Sequence, residues 1–537
     1  DEEAHFIRPV RWIVALCDKE IIPMEFAHVK SGNVSRGHRF LCKEPVTIED
    51  PLSYQETMRH AFVIVDQDER REMIRTGLLA VADKLGGHVW HNADLLEEIN
   101  YLVEYPTPLY GKIDDEFLKL PVPAVVTPMR DHQRYYPVRN EDGSLMPYFL
   151  TVRNGGTKAL ENVQHGNEKV LRARLDDAKF FFENDRKKTL EGHRDDLTRI
   201  NYQEGMGDMR DKADRLQKLT EAIGKDWDFD AEKTADADRA AFLSKSDLAT
   251  GMVTEFTELQ GEMGKEYALL DGEKPEVAQA IFEQYMPRFA GDILPQQEIG
   301  RALSLADKLD NLAATFLRGL IPTGSQDPFA LRRQTIGAVN ILTDGKIHWD
   351  IRRGIEAALA LLPGEEETKK TVLSQIEDFF RQRIKAIMLD EGIAYDIIDA
   401  VLAGPVDDIY ALFLKARSMA ESQLKDEADL RQAVTRLANI TKGKTGGKVD
   451  PSLFTEDVEK KLQDAFEAAS KKVLPLFAAY QYGEALPVLK ELTAPINDYL
   501  DNVMVMVDDE AVKNNRISQL LATLALFNTW GDFSKLV

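Results

Sequence analysis

A chain of 537 residues with a formal charge of −23, 44% hydrophobic and 30% charged, has the composition of an ordinary globular protein. At about 100–200 residues per domain it divides into roughly three to five domains. Its apolar runs all fall short of the roughly 18 residues that span a bilayer, its start Asp1-Glu2-Glu3 lacks a signal core, and its two cysteines, Cys17 and Cys42, point to a reducing cytoplasm.

The first third reads as mixed α/β. Val10 to Leu16 and Ile21 to Ala27 are apolar runs flanking Asp18-Lys19-Glu20, a hairpin pattern. Met73, Ile74, Leu78 and Val81 recur at helical spacing between Arg70 and Lys84. Val122 to Thr127 and Tyr148 to Val152 read as strands, and Asn140-Glu141-Asp142-Gly143 as a turn. From about Asn167 the pattern is helical: a charged helix over Glu168 to Leu190, then amphipathic stretches from Leu243 to Phe316 broken by Gly272, Pro287 and Pro295. Gly319 to Pro328 and Leu361-Leu362-Pro363-Gly364 are further stops. Thr441 to Asp450, rich in glycine and lysine, reads as a loose linker. Beyond it, Val458, Leu462, Phe466, Ala469, Val473 and Phe477 form one helical stripe, and Ile517, Leu520, Leu521, Leu524 and Phe527 another. No repeat of fixed period is visible.

The mean field of so acidic a chain repels phosphate. Positive charge is nevertheless concentrated at Arg36-Gly37-His38-Arg39, at Arg172 with Arg174, at Arg186-Lys187-Lys188, at Arg332-Arg333 and from Lys442 to Lys448. Clusters sharing a face would hold RNA; otherwise they are solvated surface. His-Glu-x-x-His, paired Cys-x-x-Cys and Gly-x-Ser-x-Gly patterns are absent. His88, His91 and Asp94 have metal-like spacing, but a turn entering a helix, with Asp94 as its cap, explains them better. Gly443-Lys444-Thr445 imitates the end of a phosphate-binding loop, yet Ala438 stands where that loop needs glycine and no strand precedes it. The nucleotide-binding signatures of class I aminoacyl-tRNA synthetases are absent too.

Several long motifs carry a resemblance. They are His5 to Trp12, Arg36 to Phe40, Met129 to Val138, Gly166 to Leu175, Asp177 to Phe181, Glu283 to Asp292, Ala306 to Asp310, Asp327 to Arg333, Val503 to Val507, and Asn514 to Arg516. In order and over essentially the whole chain, they resemble the beta subunit of bacterial glycyl-tRNA synthetase. Members of that family usually carry a further region before the equivalent of His5, which this chain is expected to lack.

The resemblance implies a multidomain, mainly α protein with an N-terminal α/β part. It implies a tRNA-contacting α/β domain over 1–165, a degenerate HD-like helical domain over 166–345, a helical body over 346–440, and a helical anticodon-binding domain over 441–537, similar to that of arginyl-tRNA synthetase. It further implies that a separate alpha subunit activates glycine with ATP and Mg2+, that this chain grips tRNA(Gly) and holds no cofactor or catalytic residue of its own, and that the assembly is alpha2beta2, cytoplasmic and membrane-free. An HD hydrolase needs imidazole and carboxylate ligands converging on a metal. Between His193 and His348 there is no histidine, and Leu270 precedes Asp271, although Asp247, Asp271 and Asp307 remain. A metal phosphohydrolase is therefore disfavoured, and a non-catalytic helical scaffold is the other alternative.

The expected phosphate-binding residues are Arg8, Arg36, Arg39, Arg130, Arg172, Arg174, Arg332 and Arg333, because guanidinium pairs bidentately with phosphate. The competing reading pairs Arg172 and Arg174 with Asp176 and Asp177, and makes Arg332 and Arg333 braces of a turn. Arg436, Asn439, Asn514, Asn515 and Arg516 offer the donors and acceptors that base-edge readout of an anticodon needs, with capping and solvation as the alternative.

Overall fold

A computed structural model describes residues 8–324 and 326–536. His5, Phe6 and Ile7, which open the first motif, lie outside the described residues. The chain divides into two units: Asp1–Thr189 with Asp247–Tyr267, and Leu190–Ser246 with Ala268–Val537.

The first unit is built on four antiparallel strands, β1 (His88–Val89), β2 (Pro106–Lys112), β3 (Tyr136–Arg139) and β4 (Leu145–Asn154), in the order β1-β3-β4-β2. The turn expected at Asn140 to Gly143 joins β3 to β4, with Gly143 at φ +84°, and the strand expected at Tyr148 to Val152 lies within β4. Helix α1 (Gln67–Leu85) contains the expected helical stretch. Asp66 caps it by accepting from the Asp68 and Glu69 amides, and Gly86 ends it in the left-handed region at φ +75°. Ile74, Leu78 and Ala82 then pack with Leu95 and Ile99 of helix α2 (Ala93–Leu102) and with Tyr136, Val138 and Leu150 of the sheet. The cap of α2 is Asn92, whose Oδ1 accepts from the Leu95 amide at 2.9 Å, rather than the expected Asp94. Asp94 lies inside the first turn, where a carboxylate favours the helix dipole.

Val122–Thr127 is a helical turn rather than a strand. The run is rich in valine, but Pro121 and Pro123 pre-set its first turn, and Ala124 to Thr127 are all buried. A short continuous apolar run has no periodicity to separate strand from helix. The N-terminal hairpin exists in miniature: Leu16 pairs with Ile21 and Cys17 with Glu20, around Asp18 at φ +51°. Pro23, which has no amide proton, lies just beyond. Glu25–Phe26 turns back on Val29–Gly32 through Ala27 and His28, both at positive φ, as a primed hairpin turn requires.

Helix α3 (Leu160–Asp185) is longer at its start than expected, so residue 165 lies within it. Its last residue, Asp185, accepts from the Gly251 and Met252 amides at 2.7 and 2.9 Å and from the Tyr267 hydroxyl at 2.8 Å. The returning segment Asp247–Tyr267 is fastened to the first unit there.

In the second unit, helix α4 (Met209–Asp226) opens with an Asp208/Asp211 capping box and is followed by α5 (Ala231–Leu243) and α6 (Pro275–Glu283). Helix α7 (Glu298–Leu317) is buried at nearly every position from Ile299 to Phe316. It is the central helix, enclosed by α4, α5, α6, α8 (Leu331–Asp344), α9 (Ile351–Ala360) and α10 (Glu366–Asp390). Pro287, Pro295, Gly319 to Pro328 and Leu361 to Gly364 fall between helices, as their composition predicts. The C-terminal helices are α11 (Ala428–Thr441), α12 (Asp457–Ala478), α13 (Thr493–Asn502) and α14 (Glu510–Asn528). Leu462, Ala469, Val473 and Phe477 of α12, with Ile517, Leu520, Leu524 and Phe527 of α14, are the buried members of the two expected stripes.

The segment from Lys442 to Asp450 is non-helical but not loose. The Gly447 amide donates to Ser518 Oγ at 2.8 Å and the Asp450 amide to Asn515 Oδ1 at 2.7 Å, and a Cβ on Gly446 would press on Leu521 and Ser518. Its glycines let backbone lie directly on α14.

Candidate nucleic-acid interface

The arginines expected at phosphates differ in how far their donors are already used. Arg8, Arg36 and Arg39 are exposed, and among the described residues no carboxylate lies within ion-pair reach of them. The Arg36 guanidinium sits 5.9 Å from the centre of the Trp12 ring, and that of Arg39 5.6 Å from Phe40. Arg36 leaves a short strand, Val34–Arg36, paired with Pro45–Thr47, so the backbone fixes where its side chain departs.

Arg130, on a π-helical turn over Pro128–His132, forms a two-pronged pair with the adjacent Asp131 at 2.7 and 3.0 Å. This pair, with Glu262 adding to it, raises the guanidinium pKa further above its ordinary value although burial opposes it. Arg172 is taken by Asp114, at 2.9 Å, rather than by Asp176 or Asp177. Arg174 reaches Asp177 only at 4.0 Å and remains exposed. Arg332 braces a turn, donating to the Gly324 carbonyl at 2.6 Å, and Asp327 already caps its helix by accepting from the Leu331 and Arg332 amides. Arg333 faces solvent with no carboxylate in reach among the described residues. The open set is Arg8, Arg36, Arg39, Arg174 and Arg333.

The C-terminal candidates split more sharply. Arg516 is 5% exposed. Its donors go to Glu459 Oε1 at 2.9 Å, the Met504 carbonyl at 2.8 Å and Thr455 Oγ1 at 2.6 Å. Glu459 is itself wholly buried and closes the capping box of α12. Asn515 is buried and spends both ends of its amide on the Asp450 backbone. Arg436 ties α11 to Asn497 and Asp501 of α13 at 3.0 and 2.5 Å. Asn515 and Arg516 are buried in contacts that hold the domain together, whereas the Arg436 side chain is 36% exposed and spends only two of its N–H donors on α13. Asn439 and Asn514 are exposed, with no side-chain partner among the described residues.

The carboxylates considered for a metal serve the fold. Asp247 accepts from the Gly261 amide at 2.7 Å within the first unit, and in the second Asp271 accepts from the Leu190 amide at 2.6 Å. Asp307, on α7, faces two ammonium groups, Lys212 Nζ at 3.0 Å and Lys245 Nζ at 3.1 Å. Lys212 also reaches Asp310 at 2.8 Å, and Arg215 pairs with the same carboxylate at 2.6 Å. Burial alone would raise the Asp307 carboxyl, but Lys212, Lys245 and Lys308 together hold it well below the usual range. These buried charges went unread because no histidine marks them, and the partners of Asp307 lie 95 and 62 positions away in sequence.

Beside them Lys308 donates to the Met286 carbonyl at 2.7 Å and to Ser304 Oγ at 2.8 Å. Burial pushes this ammonium down from an ordinary value near 10.5 to about 7; Asp307 and Asp292 oppose the shift, while Lys245 and Lys212 add to it. Between those two values the unfolded chain binds a proton that the folded chain does not, so this group's contribution to stability grows as pH rises through that window. Lys308→Met is expected to gain stability relative to wild type more at pH ~6 than at pH ~9, read as the difference in melting temperature. An equal difference at both pH values would show that Lys308 stays charged in the fold.

A family model described as glycyl-tRNA synthetase beta subunit matches residues 1–403, and one described as DALR anticodon binding domain matches 430–531. The second match begins within α11, before the glycine-rich segment. The chain is similar to proteins named glycine–tRNA ligase beta subunit. It is 44% identical to that of Clostridioides difficile strain 630 over 533 residues, which cover 99% of this chain and 77% of the relative. It is 42% identical to that of Desulforamulus reducens over 539 residues (100% and 78%), and 40% identical to that of Bacillus subtilis strain 168 over 541 residues (100% and 78%).

Proposed function

The chain belongs to the glycyl-tRNA synthetase beta-subunit family, and on that premise we propose that it binds tRNA(Gly) and presents it to a separate alpha subunit, which transfers activated glycine to the 3′ end. It is thus a subunit of an aminoacyl-tRNA synthetase, a ligase. The observation that carries the reading is the succession of the two family matches, a beta-subunit body followed by an anticodon-binding domain, over nearly the whole chain.

In this reading the C-terminal helices meet the anticodon, with Asn439 and Asn514 available to base edges. The open arginines Arg8, Arg36, Arg39, Arg174 and Arg333 meet phosphates. ATP and Mg2+ act on the alpha subunit, and no residue of this chain is assigned to them. The helical part over 166–345 is a degenerate HD-like scaffold; what supports its being non-catalytic is that Asp307 faces two ammonium groups, which would repel a metal cation. The C-terminal domain is of the arginyl-tRNA synthetase kind, and the assembly is alpha2beta2 in the cytoplasm.

The test is glycine charging by this chain alone, by the alpha subunit alone and by the two together. Only the pair is expected to charge tRNA(Gly) at a substantial rate. Charging by this chain unaided, or no stimulation of the alpha subunit, would refute the assignment.

A further inference from the structure

No pattern in the sequence marks Arg139, yet the fold of the first unit gives it a particular setting. Strands β1 and β3 pair so that Val138 stands opposite Val89 and Arg139 opposite His88. Val89 and Val138 belong to the core, so strand alternation turns His88, Trp90 and Arg139 to the other face of the sheet. Trp90 follows β1 and donates its amide to the Pro137 carbonyl at 3.2 Å. It is thus the diagonal neighbour of Arg139, within reach of a long side chain. The Arg139 guanidinium carbon stands 3.2 Å from the centre of the Trp90 ring. An edge-on guanidinium at that separation would drive a nitrogen into the ring, so the group lies flat on the indole.

One face of this cation is used and the other is not. Among the described residues no second ring covers Arg139 and no carboxylate lies within ion-pair reach of it. None of its N–H groups meets an acceptor there, the buried Nε included. Burial lowers the guanidinium pKa from its ordinary value, and no neighbouring charge offsets that. Elsewhere in the same unit Asp131 answers Arg130 and Asp114 answers Arg172. Arg139 is half-buried and stays unanswered.

A flat cation fits a flat partner. The donors of Arg139 point along the plane of the indole, so a group arriving from solvent meets the face of the guanidinium before its edge. Every nucleobase has a π-face to lay on it. The nucleotide also brings a negative charge to the unanswered guanidinium, which an aromatic side chain of a protein partner would not. Strand β1 ends the sheet order β1-β3-β4-β2, so the pair stands at an edge beyond which no described strand is paired.

We propose that Trp90 and Arg139 form a stacking platform for one unpaired base of the bound RNA, which lies on the open face of the guanidinium and completes a stack of indole, guanidinium and base. This rests on the tRNA-binding reading. It adds a contact that is separate from the arginines assigned to phosphates and is indifferent to which base is bound.

The experiment measures binding of tRNA(Gly) and of a blunt-ended RNA duplex by the full chain with its alpha partner. Arg139→Lys keeps the charge and removes the plane. It is expected to weaken tRNA binding about tenfold, the scale of one stacked base, and to leave duplex binding and the salt slope unchanged. Trp90→Leu removes the layer beneath and is expected to act alike, which covers the case in which one variant fails to fold. Trp90→Phe keeps a ring there and should retain most of the affinity. Full affinity in Arg139→Lys but not in Arg139→Gln would mark a phosphate contact and overturn the stack. Equal losses on tRNA and duplex, or no loss in any variant, would overturn it too. Losses that came with weakened capture of the alpha subunit would make the platform a protein contact. A wild type that bound no tRNA would instead remove the tRNA reading itself, and this proposal with it.

Discussion

Affinity for tRNA should fall about 500-fold when monovalent salt is raised from about 50 to about 200 mM. The figure follows from the five open arginines, Arg8, Arg36, Arg39, Arg174 and Arg333, each neutralising one phosphate, at roughly 0.9 in the log–log slope per duplex contact. The net charge of −23 makes the dependence a sharp test. At long range the protein's net charge repels RNA, so attraction must come from a few local cations that release counterions condensed on the RNA phosphates. Replacing Arg39 or Arg333 with glutamine should lower the slope by about one and leave the unfolding curve unchanged, since neither has an ion-pair partner to lose among the described residues. Changing Arg172 instead should leave the slope where it is, because Asp114 already answers that charge. A slope near zero would mean that the open arginines do not meet phosphate.

Arg516→Ala is expected to destabilise the C-terminal domain by about 3–5 kcal/mol, the usual cost of removing one partner of a buried ion pair. The loss is large because Glu459 stays behind, wholly buried, without the guanidinium that neutralises it. The Met504 carbonyl and the Thr455 hydroxyl lose their donor as well. Urea unfolding of the purified chain measures the effect; a loss under about 1 kcal/mol would mean that the pair is solvated in solution. Burial alone would raise the Glu459 carboxyl, but the Arg516 hydrogen bonds and the Thr455 and Glu456 amides hold it below its ordinary 4.5. Its contribution is therefore complete above pH ~4.5 and lost as pH falls through the lower folded value. The acid limb of the wild-type stability curve should be steeper than that of Arg516→Met.

Arg516 also marks where reading the sequence stops. Ile517, Leu520, Leu524 and Phe527 announce α14 and its buried face by spacing alone, and the structure buries all four. Asn514, Asn515 and Arg516 precede that stripe as three polar residues of equal standing. Only Glu459, 57 positions earlier, and the Asp450 backbone decide that the last two turn inward and the first stays out. Reversing Arg516 to glutamate would set a second carboxylate against the buried Glu459, so the fold is what breaks. Val122 to Thr127 illustrates a second limit. Its valines favour a strand, and Pro121 and Pro123 favour a helical turn. Local propensity is a weak prior once most of a short segment is buried. Trp12 and Tyr54 illustrate a third. Aromatic residues 42 positions apart carry no common pattern, and only the fold of the short strands between them makes both line one pocket.

The fastening of Asp185 by Gly251, Met252 and Tyr267 bears on how the protein is born. The first unit is discontinuous in sequence: its final 21 residues are separated from the rest by the stretch from Leu190 to Ser246. A ribosome that has just added Thr189 has therefore made an unfinished body in which Asp185, at the end of the long helix, still lacks the donors that Gly251, Met252 and Tyr267 will bring. Completion waits for Tyr267 to emerge, after the first helices of the second unit have been synthesised. A fragment cut at residue 189 should expose this dependence as a lower melting temperature, restored by supplying 247–267 as a peptide.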